Sequence, residues 1–194
     1  MSKIVIIQGH PDPAGNRLCH ALGHAYAEGA RDAGHDVEFI EIGKLDFPLL
    51  RSPVDWNAGA EATPPVLIPA QKACLDANHL VFIYPLWLGT MPALLKGFLE
   101  QVFRPGVALS QGDGFPKAML RDKSARIVVT MGMPALAYRF FFMAHSLKNL
   151  QRNILGFVGI KPIRNTLFGM VEGVSDKKRS TWLEQMRSLG RQAR

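Results

Sequence analysis

The chain alternates between unbroken apolar runs and stretches whose apolar residues recur at helical spacing. Lys3–Gln8 carries Ile4-Val5-Ile6-Ile7 without polar alternation, the pattern of a strand buried on both faces. A helix is predicted from about Asn16 to Ala33, with Leu18, Ala21, Leu22 and Ala25 on one face and Gly34 as its stop. Val37–Ile42 alternates and reads as the second strand, Pro65–Ala77 as a helix, and Leu80–Tyr84 as the third strand. Leu94, Leu95, Phe98, Leu99 and Val102 make Pro92–Phe103 a strongly amphipathic helix. Ala125–Met131 is the fourth strand, Tyr138–Asn153 a helix, Phe157–Phe168 the region of the fifth strand, and Asp176–Arg191 the closing helix. Arg51–Pro65, rich in Pro, Gly, Ala and Asp, is the least ordered stretch, a surface excursion rather than a boundary.

Five strand–helix alternations imply a parallel sheet covered by helices on both faces. In such sheets ligands bind at the carboxyl ends of the strands, at the switch point of the strand order. Three segments therefore carry the chemistry: Gly9–Arg17, Pro85–Thr90 and Thr130–Pro134.

Composition narrows the field. At 194 residues, 47% hydrophobic and 20% charged, the chain has the length of one domain, 1–194, with a sizeable core. The longest apolar candidate, Leu80–Leu88, stops at Gly89, far short of a membrane span. No apolar secretory segment precedes Lys3, so a soluble, cytosolic protein is expected. Cys19 and Cys74 make neither a disulfide scaffold nor a metal cluster, and read as small buried side chains. The 23 Lys and Arg against 16 Asp and Glu give +7, which attracts polyanions, anionic lipid or phosphorylated small molecules. No zinc spacing, basic-aromatic motif or recognition helix favours nucleic acid. The terminal cations Lys177, Lys178, Arg179, Arg187, Arg191 and Arg194 read as a solvated helix face.

In the first segment, Gly9 and Gly15 let the backbone turn, Pro11 and Pro13 stiffen it, and Asn16 is a good helix cap. A phosphate at the following helix N-terminus would be stabilised, with His10 and Arg17 as added donors. Neither G-x-G-x-x-G nor a P-loop is present, and an ordinary strand-to-helix turn reads the same way. In the second segment Leu86, Trp87 and Leu88 follow a buried strand before any helix begins, so they face the cleft, where a flat conjugated ring could lie.

Tyr84-Pro-Leu-Trp-Leu-Gly-Thr-Met-Pro-Ala-Leu-Leu-Lys-Gly-Phe98 is similar to the P-L-x-W-x-x-x-P-A-x-L-K-G run of the flavodoxin-like NAD(P)H:quinone oxidoreductase family, which includes the flavin-bearing ancillary subunits of bacterial potassium efflux systems. Gly9-His-Pro-Asp-Pro13 resembles that family's first loop, Thr130-Met-Gly132 through Tyr138 its T-T-G-G…Y segment, and Gly156-Phe-Val-Gly159 its late F-x-G motif. The resemblance runs from Ile4 to about Trp182. It implies a five-stranded parallel sheet of order 2-1-3-4-5. It also implies bound FAD, or FMN, hydride transfer from NADPH or NADH, quinone-like acceptors and a homodimer with the site at its two-fold interface. Phosphate and ribityl contacts would fall on His10, Asn16, Arg17 and Leu18. Ring contacts would fall on Pro85, Leu86, Trp87, Leu88 and Gly89, and the pyrimidine end on the backbone of Thr130, Met131, Gly132 and Met133. Tyr138 matches the active-site tyrosine and would donate to the acceptor oxygen, and His145 would give a proton.

The chain departs from that family in places. Gly15-Asn16-Arg17 replaces Ser-Phe-Asn, and the aromatic pair of the second loop is reduced to Trp87 followed by Leu88. Met131, Met133 and Pro134 stand for Thr and Gly. Ala144 occupies the histidine position, with His145 one residue later. Trp56 reads either as a lid over the ring or as a surface aromatic. The Arg139-Phe140-Phe141-Phe142-Met143 run carries more aromatic surface than one helix face buries, so a second copy is expected to cover it. Peripheral docking on a transporter, an electron-carrier flavodoxin, and a flavin reductase or azoreductase are the competing readings. The +7 charge weighs against the carrier, because such carriers are typically acidic.

Overall fold

A computed structural model describes residues 1–112 and 114–193. Arg194, named above among the terminal cations, lies outside the described residues. Five strands, β1 (Lys3–Gln8), β2 (Asp36–Glu41), β3 (His79–Pro85), β4 (Ser124–Thr130) and β5 (Ile163–Phe168), form one sheet in the order β2-β1-β3-β4-β5. All four pairings are parallel, with Ile4 opposite both Val37 and His79, and Ala125 opposite Leu80 and Ile163. The chain reverses its direction of travel across the sheet between β1 and β3, which sets the switch point there.

Alternate residues of each strand point to opposite faces. Ile4, Ile6, Val81, Ile83 and Val128 meet α1 (Leu18–Asp32) and α7 (Asp176–Arg191). Val5, Ile7, Leu80, Phe82, Tyr84, Ile127 and Val129 meet α3 (Ile68–Asp76), α4 (Ala93–Val102) and the segment that carries Leu147, Leu150 and Leu155. The helices α1 and α7 touch backbone to backbone near their carboxyl ends. A Cβ on Gly29 would stand 2.0 Å from the Arg187 carbonyl oxygen, and one on Gly190 2.0 Å from that of Tyr26.

Two expectations are corrected here. The continuous helix over 138–153 is instead α5 (Ala135–Phe140), a reversal in which Met143 and Ala144 take φ of 54° and 48°, α6 (His145–Asn149), and a wide π turn at Leu150–Leu155. The excursion over 51–65 is built rather than loose. Ser52 and Asp55 cap α2 (Pro53–Asn57) reciprocally at 3.1 Å. The buried Arg104 guanidinium donates to the Asp55 carbonyl at 2.6 Å and that of Gly59 at 3.4 Å, while Gln101 donates to Pro48. Trp56 lies beside Lys96, Phe103 and Phe157 in a separate hollow of about 160 Å³, sharing no lining residue with the cleft described next, so it is not a lid over it. No helix among the described residues is long and apolar enough to cross a membrane.

Candidate functional site

The turn from β1 to α1 comes within van der Waals reach of β3. A Cβ on Gly9 would stand 2.9 Å from the Tyr84 Cβ and 2.8 Å from a Leu95 methyl, so only glycine fits. The loop beyond it is tied by its own side chains. His10 Nδ1 accepts from the Asp12 N–H at 3.0 Å, Asp12 accepts from the Ala14 N–H at 2.9 Å, and the Arg17 guanidinium donates to Asp12 at 2.7 and 2.8 Å. The two N–H donors hold the Asp12 carboxyl below its usual range, the Ala14 amide first and Arg17 second. Arg17, not Asn16, is the cap of α1, and its N–H donates to His20 Nδ1 at 3.4 Å. His10 and His20 stand 5.4 Å apart, and burial lowers the pKa of both below the ordinary histidine value.

From this loop a cleft of about 770 Å³ opens between the amino-terminal ends of α1 and α7. Of the residues expected to form the site, His10, Asn16, Arg17, Leu18, Pro85 and Thr130 line it. Cys19 and His24 on α1, Glu172 after β5 and Arg179 in the first turn of α7 line it as well, none of them expected there from sequence. Arg179 corrects the reading of the terminal cations as only a solvated face, although Arg187 and Arg191 do pair outward with Glu28 and Glu184. Cys19 lies at the cleft floor, 3.2 Å from the Thr130 hydroxyl, and burial pushes its thiol up to about 12, so it stays protonated.

The second loop folds as a tight turn closed by paired bonds between Trp87 and Thr90, at 2.9 and 3.0 Å. Leu88 and Gly89 sit at its tip with φ of 46° and 80°. Counted from Pro85, the tryptophan of the family run falls on Leu88, which is fully exposed, and Trp87 stands one place earlier, edge-on to His10 at 5.7 Å. Leu86, Trp87, Leu88 and Gly89 border the cleft mouth rather than line it.

The third loop is partly used by the fold. The Met131 N–H donates to Phe168 and its side chain is buried in the core, so Met131 offers the site neither. Among the described residues, the N–H groups of Gly132 and Met133 have no acceptor, and Gly132 borders the Glu172 carboxylate. Tyr138 is 2% exposed, and its hydroxyl accepts the Leu147 N–H at 3.1 Å. Burial raises its pKa, partly offset by that amide and the Ser146 hydroxyl. The expected hydrogen bond from Tyr138 to an acceptor on the ring therefore does not fit this geometry, because the phenol is turned into the fold beside the buried Tyr84 hydroxyl. His145 opens α6 with its side chain exposed.

Fold and cleft define a doubly wound α/β protein with its ligand crevice at the β1/β3 switch point. The family model for the flavodoxin-like fold matches residues 2–189, and the chain belongs to that family. An uncharacterized NAD(P)H oxidoreductase of Haemophilus influenzae is 26% identical over 182 residues, 93% of this chain and 90% of the relative. NAD(P)H dehydrogenase (quinone) 1 of Cavia porcellus is 36% identical over 151 residues, 68% of this chain but only 54% of that longer protein. The solved NAD(P)H:quinone oxidoreductase from Methanothermobacter marburgensis superposes with a TM-score of 0.82 at 23% identity, covering 100% of this chain and 99% of its own, and shares the fold.

Proposed function

We propose that this chain is a flavin-dependent NAD(P)H oxidoreductase that reduces quinones or similar acceptors, with FAD as its flavin. The observation that carries the reading is the convergence of two helix amino termini, His10, Arg17 and Arg179 on one cleft at the switch point. Two helix dipoles, two guanidinium groups and amide donors suit phosphate there. The cleft continues from the α1 terminus past Ala21 to His24, with Arg179 opposite. That extra length suits a dinucleotide with two phosphates rather than a mononucleotide, and favours FAD over FMN.

The N–H groups of Leu18 and Cys19 at the open end of α1 would hold the first phosphate, and Arg17, fixed by Asp12, would add charge without reorganisation. Pro85 and the Trp87–Gly89 turn would bracket the ring. The Gly132 and Met133 N–H groups would meet its electron-accepting edge and favour negative charge there. When bound, the flavin supplies hydride acceptance from NAD(P)H and hydride donation to the acceptor. The exposed His145 would take or give the accompanying proton at the mouth. Phe140, Phe141, Phe142 and Met143 are all exposed, an apolar surface that we assign to a second copy of the chain.

The test is direct. Purified protein should be yellow, release FAD on heating, and oxidise NADPH or NADH in the presence of a quinone. A colourless preparation that binds neither FAD nor FMN on titration overturns the reading. A sedimentation mass of one chain at micromolar concentration overturns the dimer.

A further inference from the structure

Two segments flank the cleft mouth, and each holds non-glycine residues in the left-handed region. Leu88 has φ 46°, and Met143 and Ala144 have 54° and 48°. Such residues are strained and persist only where their surroundings over-determine them. Helix α1, by contrast, ends on Gly34, where a left-handed residue costs little.

The Met143–Ala144 reversal turns the chain so that Ser146 faces the second loop. The reversal is anchored at both ends by Tyr138: the Ala144 N–H donates to the Tyr138 carbonyl at 3.0 Å, and the Leu147 N–H to the Tyr138 hydroxyl at 3.1 Å. Between these anchors the Ser146 hydroxyl donates to the Thr90 hydroxyl oxygen at 2.9 Å. Thr90 closes the turn with Trp87 through both of its backbone groups. A force on the Thr90 side chain is therefore a force on Trp87 and Leu88. The path from buried phenol to exposed turn runs from Tyr138 through the Ala144 and Leu147 amides that flank Ser146 to Thr90, and spans two elements that share no other side-chain hydrogen bond among the described residues.

We infer that Ser146 is a positioning residue: delivered by the strained Met143–Ala144 reversal and braced by Tyr138, it clamps Thr90 and so fixes the orientation in which the Trp87–Gly89 turn receives the flavin ring. This rests on the flavin reading of the cleft. Ser146 itself touches neither cofactor nor acceptor; it acts through the turn.

The experiment compares Ser146→Ala, Thr90→Val, the double variant and Ser146→Thr in the full-length protein, reading the flavin dissociation constant by fluorescence titration and the melting temperature beside it. Loss of one positioned hydrogen bond should weaken flavin binding about fivefold to tenfold in each single removal. The double variant should be no weaker than the poorer single variant, since both remove the same bond. Ser146→Thr should bind within about twofold of the wild type. Variants that melt lower yet bind flavin as the wild type does, or a double variant whose losses add, overturn the inference and leave the proposed function standing. A wild-type protein that binds no flavin overturns both.

Discussion

The two ends of the sheet treat their polar groups in opposite ways. At the amino-terminal end, His79, Ser124 and Arg126 are gathered inside the protein. His79 bonds Ser124 at 2.7 Å and lies parallel to the Tyr26 ring at 6.4 Å, and Arg126 donates to Thr166 at 2.6 Å. At the carboxyl-terminal end two turns hold left-handed leucine, methionine and alanine, and among the described residues the Gly132 and Met133 amides have no acceptor. Buried polar groups that are closed off stabilise one arrangement, whereas donors left open at a cleft are available to a ligand. The sheet separates the two roles by its length.

The largest effect expected from breaking this contrast comes at the closed end. Burial, aided by Arg126, Arg164 and His35, lowers the pKa of His79 from 6.5 to about 4. The folded state thus binds fewer protons than the unfolded chain between those values. Stability from this group is present above pH 6.5 and is lost as pH falls toward 4, by about 3 kcal/mol in all. Chemical denaturation at pH 7 and pH 4.5 should show most of that loss in the wild type and a much smaller one in His79→Phe; equal losses in both would remove His79 as the cause.

Tyr138→Phe sharpens the contrast from the other end. Removing the acceptor of a buried N–H should cost about 1–2 kcal/mol of stability. Quinone turnover measured well below the melting temperature should stay within about threefold. A tenfold or larger fall in turnover with stability intact would restore the hydroxyl to the reacting atoms. Next, Arg179→Gln should weaken FAD by about tenfold and leave FMN nearly unchanged, as expected for a cation at the second phosphate; equal losses for both flavins would place Arg179 at the first. The smallest effect is expected at the mouth. His145→Ala should slow quinone reduction by roughly threefold, in a ratio that changes between pH 6 and 8. A flat ratio would make His145 a surface residue.

β1 and β3 and their carboxyl-end loops were legible because Ile4–Ile7 and Leu80–Tyr84 are unbroken apolar runs, whereas β2 was read from its alternation and β5 only as a region. The closing helix was read with the bounds it has, Asp176–Arg191, and the structure adds that Ser175 caps it. The break between α5 and α6 was not legible, because no glycine or proline marks Phe140–Leu147, and left-handed methionine and alanine have no local signature. The order of the 51–65 segment was hidden for another reason: its anchor, Arg104, lies some fifty residues away at the end of α4. A capping signal, Ser52 followed by Asp55, was nevertheless there to be read. Arg179 was read as part of a solvated face because only the sheet order brings α7 beside α1 and turns one cation of a basic run toward the cleft.

The backbone contact of Gly29 and Gly190 makes α1 and α7 a pair of jaws whose hinge carries no side chain at all. Arg179 stands eleven residues from that hinge, about 16 Å along α7. A single methyl added at the hinge must push the axes apart where no atom can give way, since the obstructing atoms are main-chain carbonyls. The bite of the jaws on the proposed flavin would thereby be set at a place no ligand reaches, so its residence time would be tunable from the far end of the molecule without altering one residue of the cleft.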